Sequence, residues 1–319
     1  MSTVRSRAKR RRKNWVLILA VLVIMFFARW SVTPERNSPE QHDFYVQAPS
    51  PLVIAHRGGA HLRPENTLAA FAYAQTLGVD VLEMDVRRSA DGELMVIHDA
   101  TVDRTTNGQG QVAQLTVAQL QALDAGYFFM PPDVQQLNPS TDITYPWRNR
   151  GVTVPSLAQV LAEFPHMRMN IEIKPEDPSV GEQLCEVLGQ ERADRVVVAA
   201  FSHAQMLTFR ESCPGYLASA SSFEATQFVV LQFLGMTRLF DAPVTLLSLP
   251  QERYGIDLIR PSLVKRARDW QLTVDYWTLN DPAVQRSAIA SGARGVITDR
   301  PDVLLDELGR LDADVLINR

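Results

Sequence analysis

The chain has 319 residues, 46% apolar and 21% charged, which excludes a disordered or collagen-like polymer and is enough for one barrel-sized domain of roughly 250 residues. The net charge of −4 is uneven, because residues 1–13 hold seven Lys/Arg and no acid, leaving 25 basic against 36 acidic residues, or −11, in the remainder. A domain that acidic, with no basic stripe, argues against nucleic acid as a partner.

In chain order, the basic head (1–14) leads into "WVLILAVLVIMFFARW". The uncharged run 15–28 would make a helix of roughly 21 Å, short of a ~30 Å hydrocarbon core, and extending it to Val32 gives a span of sufficient length. Trp15 and Trp30 bracket it as interfacial residues do, and Arg29 can snorkel to the headgroups. A cleaved signal peptide is the rival reading, but no A-x-A site precedes Pro34. The expectation is an uncleaved single-pass anchor over 15–32, placing the folded domain on the extracytoplasmic side of the cell membrane by the positive-inside rule. Residues 33–50 then read as a polar linker and 51–319 as the folded domain.

From Leu52 onward, β-rich runs alternate with helical stretches. Nine strands are expected, at 52–56, 81–86, 94–98, 168–174, 195–201, 216–220, 245–249, 272–279 and 295–299. Helical patterns fall at 66–77, 156–163, 179–190, 203–212, 261–270, 281–291 and 301–308, with a further apolar stretch at 223–240. That alternation predicts an α/β fold, a TIM (β/α)8 barrel with one irregular step. The step is "SADGE", too short for a helix between strands two and three. A two-residue turn at Asp91-Gly92 would pair Ala90 with Glu93 and set Asp85 opposite His98. An insertion follows strand three over 100–155, with a short helix capped by Thr116 and stopped by Gly126, then a connection long enough for a lid or binding loop. Cys185 and Cys213 can pair once or stay free, and buried free thiols are the expectation.

Several charged residues fall on inward faces. In "VLEMDV", Leu82 and Met84 share one face while Glu83 and Asp85 share the other; in "NIEIK", Glu172 and Lys174 oppose Ile171 and Ile173. Unpaired carboxylates inside a barrel cost several kcal/mol each, so they belong either at a solvated edge or around a cation at the open mouth. An all-carboxylate set with no cysteine or paired-histidine signature favours Mg²⁺ or Ca²⁺. His56 and His98 end two strands and can form an acid–base pair, since imidazole titrates near neutrality. Arg57 offers a fork for phosphate, and Gly58 and Gly59 are expected to let backbone approach a ligand. Together these point to metal-assisted phosphodiester cleavage.

The runs "HRGGAHLRPENTLAAF", "GVDVLEMDVRRSADGELMVIHDATVDRTT", "MNIEIKP", "VDYWTLND" and "GVITDRP", in this order over residues 52 to 302, resemble the glycerophosphodiester phosphodiesterases. The resemblance implies a TIM barrel, His56 and His98 as acid and base, Glu83, Asp85 and Glu172 as metal ligands, and Arg57 as phosphate contact. Glu65 and Lys174 fall on motif positions near the site, and Trp277 is a candidate for the substrate pocket. Glu65 reads equally well as a loop-holding residue at a helix start, Lys174 as a balance to the carboxylates, and Trp277 as core. The implied reaction converts a glycerophosphodiester to glycerol 3-phosphate and an alcohol. The alternatives are a lysophospholipase D that leaves lysophosphatidic acid, for which the anchor and the apolar 223–240 speak, a related phospholipase C or D barrel, and a barrel that binds phosphodiesters without cleaving them.

Overall fold

The computed structural model describes residues 38–132, 145–174 and 177–312. The expected strands appear as β1 (Leu52–Ala55), β2 (Val81–Arg88), β3 (Leu94–Val96), β4 (Arg168–Ile173), β5 (Val196–Ala200), β6 (Leu217–Ala218) and β7 (Leu246–Pro250). After a small hairpin, β8 (Glu252–Arg253) and β9 (Ile256–Asp257), come β10 (Thr273–Trp277) and β11 (Gly295–Thr298). Eight strands run in parallel in the order β6-β5-β4-β2-β1-β11-β10-β7. A parallel bridge between Ser219 and Leu246 joins the two ends, so the sheet closes into the expected eight-stranded barrel.

The pleat sorts side chains as alternation requires. Val53, Leu82, Met84, Ile171 and Ile173 face outward into the main core, against the helices. Leu52, Ile54, Val81, Val197, Leu217 and Ile297 fill the lower interior. The helices are α1 (Leu68–Leu77), α2 (Val117–Gln121), α3 (Leu157–Glu163), α4 (Ser179–Leu188), α5 (His203–Ser212), α6 (Ser222–Phe233), α7 (Pro261–Asp269), α8 (Pro282–Ser291) and α9 (Pro301–Glu307). Their starts are chemically marked. Thr116, Ser156 and Ser221 each form a capping box with the residue three on, which satisfies otherwise orphaned N–H groups.

The structure departs from the sequence reading at six places. β3 pairs antiparallel with β2, but Val86 opposes Val96, so Asp85 lies opposite Ile97 rather than His98. The turn holds three residues instead of two: the Ser89 N–H donates to the Glu93 carbonyl, and Gly92 takes φ +91°. The first insertion helix ends at Gln121, well before Gly126, where a Cβ would fall 2.7 Å from the Trp147 carbonyl oxygen. The apolar stretch 223–240 breaks after Phe233 and resumes only as a 3-10 turn at Thr237–Leu239.

The cysteines are buried but not free: Cys185 of α4 is disulfide-bonded to Cys213, just past α5. Part of the expected linker belongs to the domain, because Phe44 and Tyr45 plug the lower barrel end and Tyr45 OH lies 3.1 Å from Thr273 Oγ1. Arg168 Nε donates to the Phe44 carbonyl at 2.8 Å and Arg294 pairs with Glu40 at 3.0 Å, fixing this segment further. The expected membrane segment at 15–32 lies outside the described residues, among which no helix is long and apolar enough to cross a membrane.

Candidate active site

β1 ends into a tight turn in which Arg57, Gly58 and Gly59 all take positive φ. The glycines do not make room for a ligand, as the sequence implied. A Cβ on Gly58 would fall 2.7 Å from Ala70 Cβ of α1, and one on Gly59 would fall 3.2 Å from Pro301. They let two helices close against the turn, and the turn swings His56 and Arg57 over the barrel mouth.

Glu83, Asp85 and Glu172 converge there, one carboxylate oxygen of each lying within 4.8 Å of the other two. Asp85 is 1% exposed and lies deepest; Glu83 and Glu172 line a cleft of about 350 Å³ together with His56, Arg57, His98 and Lys174. Lys174 Nζ sits 2.9 Å from Asp85 Oδ1 and also binds Glu172, so it balances carboxylate charge from within the cluster. Lys174 and Arg57 against three carboxylates leave negative charge over, and Asn170 Oδ1 is buried without a hydrogen bond. An all-oxygen donor set with that surplus charge suits a hard divalent cation. Burial and the Asp85 charge push Glu83 up to about 7. For Asp85 the burial penalty is outweighed by Lys174 and Arg57, which hold it below the ordinary range, whereas burial leaves Glu172 raised despite Lys174.

Arg57 is locked rather than free. Its backbone N–H donates to Glu83 Oε2 at 2.7 Å, Nη1 donates to Glu65 Oε1 at 2.8 Å, and Nε lies 3.2 Å from Asp85 Oδ2. Glu65 does not line the cleft. It accepts from Arg57 and, through both oxygens, from Arg104 at 2.7 and 2.8 Å, and so holds the loop after β1 in place. Trp277 does reach the cleft, with its ring edge-on to Phe201 at 5.6 Å.

Each histidine is held through Nδ1. His56 Nδ1 lies 2.6 Å from Asp299 Oδ1, and Asn280 Nδ2 donates to the other Asp299 oxygen at 2.7 Å. His98 Nδ1 lies 2.6 Å from Asp99 Oδ1, and Arg104 Nε donates to Asp99 Oδ2 at 2.6 Å. Both aspartates are held below their ordinary range, against burial, chiefly by these hydrogen bonds. An ionised carboxylate can only accept, so the proton sits on Nδ1 and Nε2 is left for chemistry. The two rings differ in charge preference. Burial opposes charge on His56, but Glu83 and Asp299 outweigh it and raise it; burial lowers His98 despite Asp85.

Sequence reasoning assigned no role to Asn66, Asp99, Arg104, Asn170, Asn280 or Asp299. Asn66 Nδ2 donates to Asp85 Oδ2 at 2.8 Å, orienting the deepest carboxylate. The signal for several was present, since "IHDA", "WTLND" and "GVITD" place polar residues at strand ends and "PENT" places Asn66 just before α1.

Known proteins share this arrangement of chain. The model of the glycerophosphoryl diester phosphodiesterase family matches residues 56–303. A glycerophosphodiester phosphodiesterase of Caldanaerobacter subterraneus subsp. tengcongensis is 30% identical over 261 residues, covering 80% of this chain and 96% of that one. The lysophospholipase D GDPD1 of Mus musculus is 26% identical over 285 residues, covering 82% and 87% of the two chains. The crystal structure of a glycerophosphodiester phosphodiesterase from Agrobacterium tumefaciens superposes with a TM-score of 0.61 at 28% identity, covering 79% of this chain and 98% of that one. With the family model spanning most of the sequence and the barrel reproduced, the chain belongs to the glycerophosphoryl diester phosphodiesterase family.

Proposed function

We propose that this protein hydrolyses glycerophosphodiesters to glycerol 3-phosphate and an alcohol. A divalent cation, Mg²⁺ or Ca²⁺, would be held by Glu83, Asp85 and Glu172, with His56 and His98 as acid and base. The observation that carries this reading is the pair of Nδ1-anchored histidines lining one cleft with a three-carboxylate cluster. The cation, when bound, polarises the phosphoryl oxygens and offsets charge developing on them.

The protein's own groups do the rest. His98, whose charged form burial disfavours, takes a proton at Nε2 from the attacking oxygen as the new P–O bond forms; where that oxygen is a neighbouring substrate hydroxyl rather than water, the cyclic phosphate is opened by water in a second step. His56, whose charged form Glu83 and Asp299 favour, gives its Nε2 proton to the alcohol oxygen as the old P–O bond breaks. Arg57 has Nη1 and Nε committed to carboxylates, which fixes the plane of the fork and leaves Nη2 for a phosphate oxygen. Lys174 holds Asp85 and Glu172 in register.

A second reading, release of a headgroup from a lysophospholipid, is favoured by the far wall of the cleft. Beyond the catalytic groups it is lined by Phe201, Val229, Phe233, Leu249, Leu258 and Trp277, a surface suited to an acyl chain. The apolar run 15–28 behind a basic head supports tethering to the membrane with the barrel on the extracytoplasmic side, and the Cys185–Cys213 disulfide supports the same oxidising side.

Full-length protein offered glycerophosphocholine and lysophosphatidylcholine, each with Mg²⁺, Ca²⁺ or a chelator, tests these assignments. The expected result is cation-dependent release of glycerol 3-phosphate from the first and of lysophosphatidic acid from the second. No turnover of either substrate under any condition contradicts the enzymatic reading, and turnover indifferent to the chelator contradicts the cation.

A further inference from the structure

Among the described residues, ten large apolar side chains are exposed, and six of them lie on α6, the residue after it and the β8–β9 hairpin, where Val230, Phe233, Tyr254 and Ile256 line the apolar end of the cleft. Phe223, Val230, Phe233 and Leu234 come from α6 and the residue after it; Tyr254 and Ile256 come from the β8–β9 hairpin. Phe223, Leu234 and Tyr254 are 63%, 64% and 87% exposed, which is high for large apolar side chains on a water-facing surface. Tyr254 and Gly255 both take positive φ at the hairpin tip, which projects the tyrosine ring outward. Arg253 lies over the Tyr254 ring at 5.2 Å and Arg260 over the Phe233 ring at 5.5 Å, placing cations beside the apolar cluster.

We propose that this rim is a membrane-docking surface that seats the mouth of the cleft on a lipid bilayer. The position of the N-terminal segment identifies the occupant. Ser38, the first described residue, lines a small cleft with Arg268 and Val264 of α7. Arg260, which touches the rim, precedes the opposite end of the same helix. α7 has nine residues and is therefore about 14 Å long, so the entering chain and the rim lie on one flank of the barrel. Residues 33–37, between the expected 15–32 anchor and Ser38, reach at most ~18 Å when extended. A bilayer holding the apolar run is thus within reach of the rim, with aromatic rings and arginines at headgroup depth. The inference rests on the proposed tether but not on the proposed reaction.

The test is a fluorescent probe reading rather than a rate. Full-length protein carrying an environment-sensitive label at Leu234→Cys is mixed with phosphatidylcholine–phosphatidylglycerol vesicles. A control carries the label at Glu163→Cys, an exposed position at the C-terminal end of α3, outside the rim. The expected result is a blue shift at 234, quenched by a bromine-labelled acyl chain, and no change at 163. The double variant Phe223→Ser/Leu234→Ser should cut hydrolysis of vesicle-borne lysophospholipid at least about tenfold while leaving soluble glycerophosphocholine turnover unchanged. Vesicle-bound protein with the 234 label still in water overturns the proposal, as do equal burial of both labels and a failure to bind vesicles at all. Because the label reads binding, it separates failure of docking from failure of the enzymatic assignment.

Discussion

Asp275 sits on the inward face of β10, its Oδ1 without a hydrogen-bond partner and close against Gly295, where a Cβ would come within 2.7 Å. Burial pushes this carboxyl up to about 7, with Arg294 pulling it down and Glu40 raising it again. A carboxyl whose folded value lies above its unfolded value of 3.8 favours the folded state's proton, so its charging destabilises the fold. That penalty is absent below pH 4, grows as pH rises from 4 to 7, and is constant above. Asp275→Asn should therefore raise stability at pH 8 by up to about 4 kcal/mol and leave it unchanged near pH 4. Denaturant melts at the two pH values check this, and equal effects at both would contradict the assignment. The same alternation argument that exposed Glu83 and Asp85 in the sequence also points Asp275 inward. Its role was not legible, because nothing in "VDYW" tells a mouth position from one deep in the barrel.

At the scale of elements, the strands and most helices were legible because hydrophobic period and capping residues agree. Thr67, Ser156, Ser202 and Asp281 each sit where a helix begins and accept hydrogen bonds from its first turn. Register was not legible, since a three-residue turn at Ala90–Gly92 and a two-residue turn share the same Asp-Gly signal. The disulfide was missed for a similar reason: pairing depends on how α4 packs on α5, which no spacing reveals. Those two helices meet where Gly181 lets α4 approach the backbone of α5, a Cβ there falling 2.9 Å from the Gln205 carbonyl. The crosslink ties this contact across a 28-residue separation. Replacing Cys185 and Cys213 by serine should cost about 2–4 kcal/mol, and reductant should bring the wild type to the same midpoint. Identical midpoints for oxidised wild type and variant would contradict a stabilising crosslink.

Across the whole molecule, the barrel divides its labour between two ends. The lower end is filled with aliphatic side chains and sealed by Phe44 and Tyr45, while the upper end gathers charge that only a functional cleft accounts for. The carboxylates and both histidines were legible because charged residues at inward strand positions conflict with a packed core. Their supporting partners, Asp99, Asp299, Asn66 and Arg104, were not assigned, because they act through other side chains rather than facing the cleft. The two supporting aspartates matter most, for they fix both Nδ1 protons while burial and neighbouring charge set the rings apart in proton affinity. The most direct measurement compares His56→Ala and His98→Ala on glycerophosphocholine and on a glycerophosphoryl p-nitrophenyl ester. Loss of the base should lower both rates by ~10²–10⁴-fold, whereas loss of the acid should spare the ester, whose leaving group departs without a proton. A wild-type rate for either variant on glycerophosphocholine would contradict the two-histidine account.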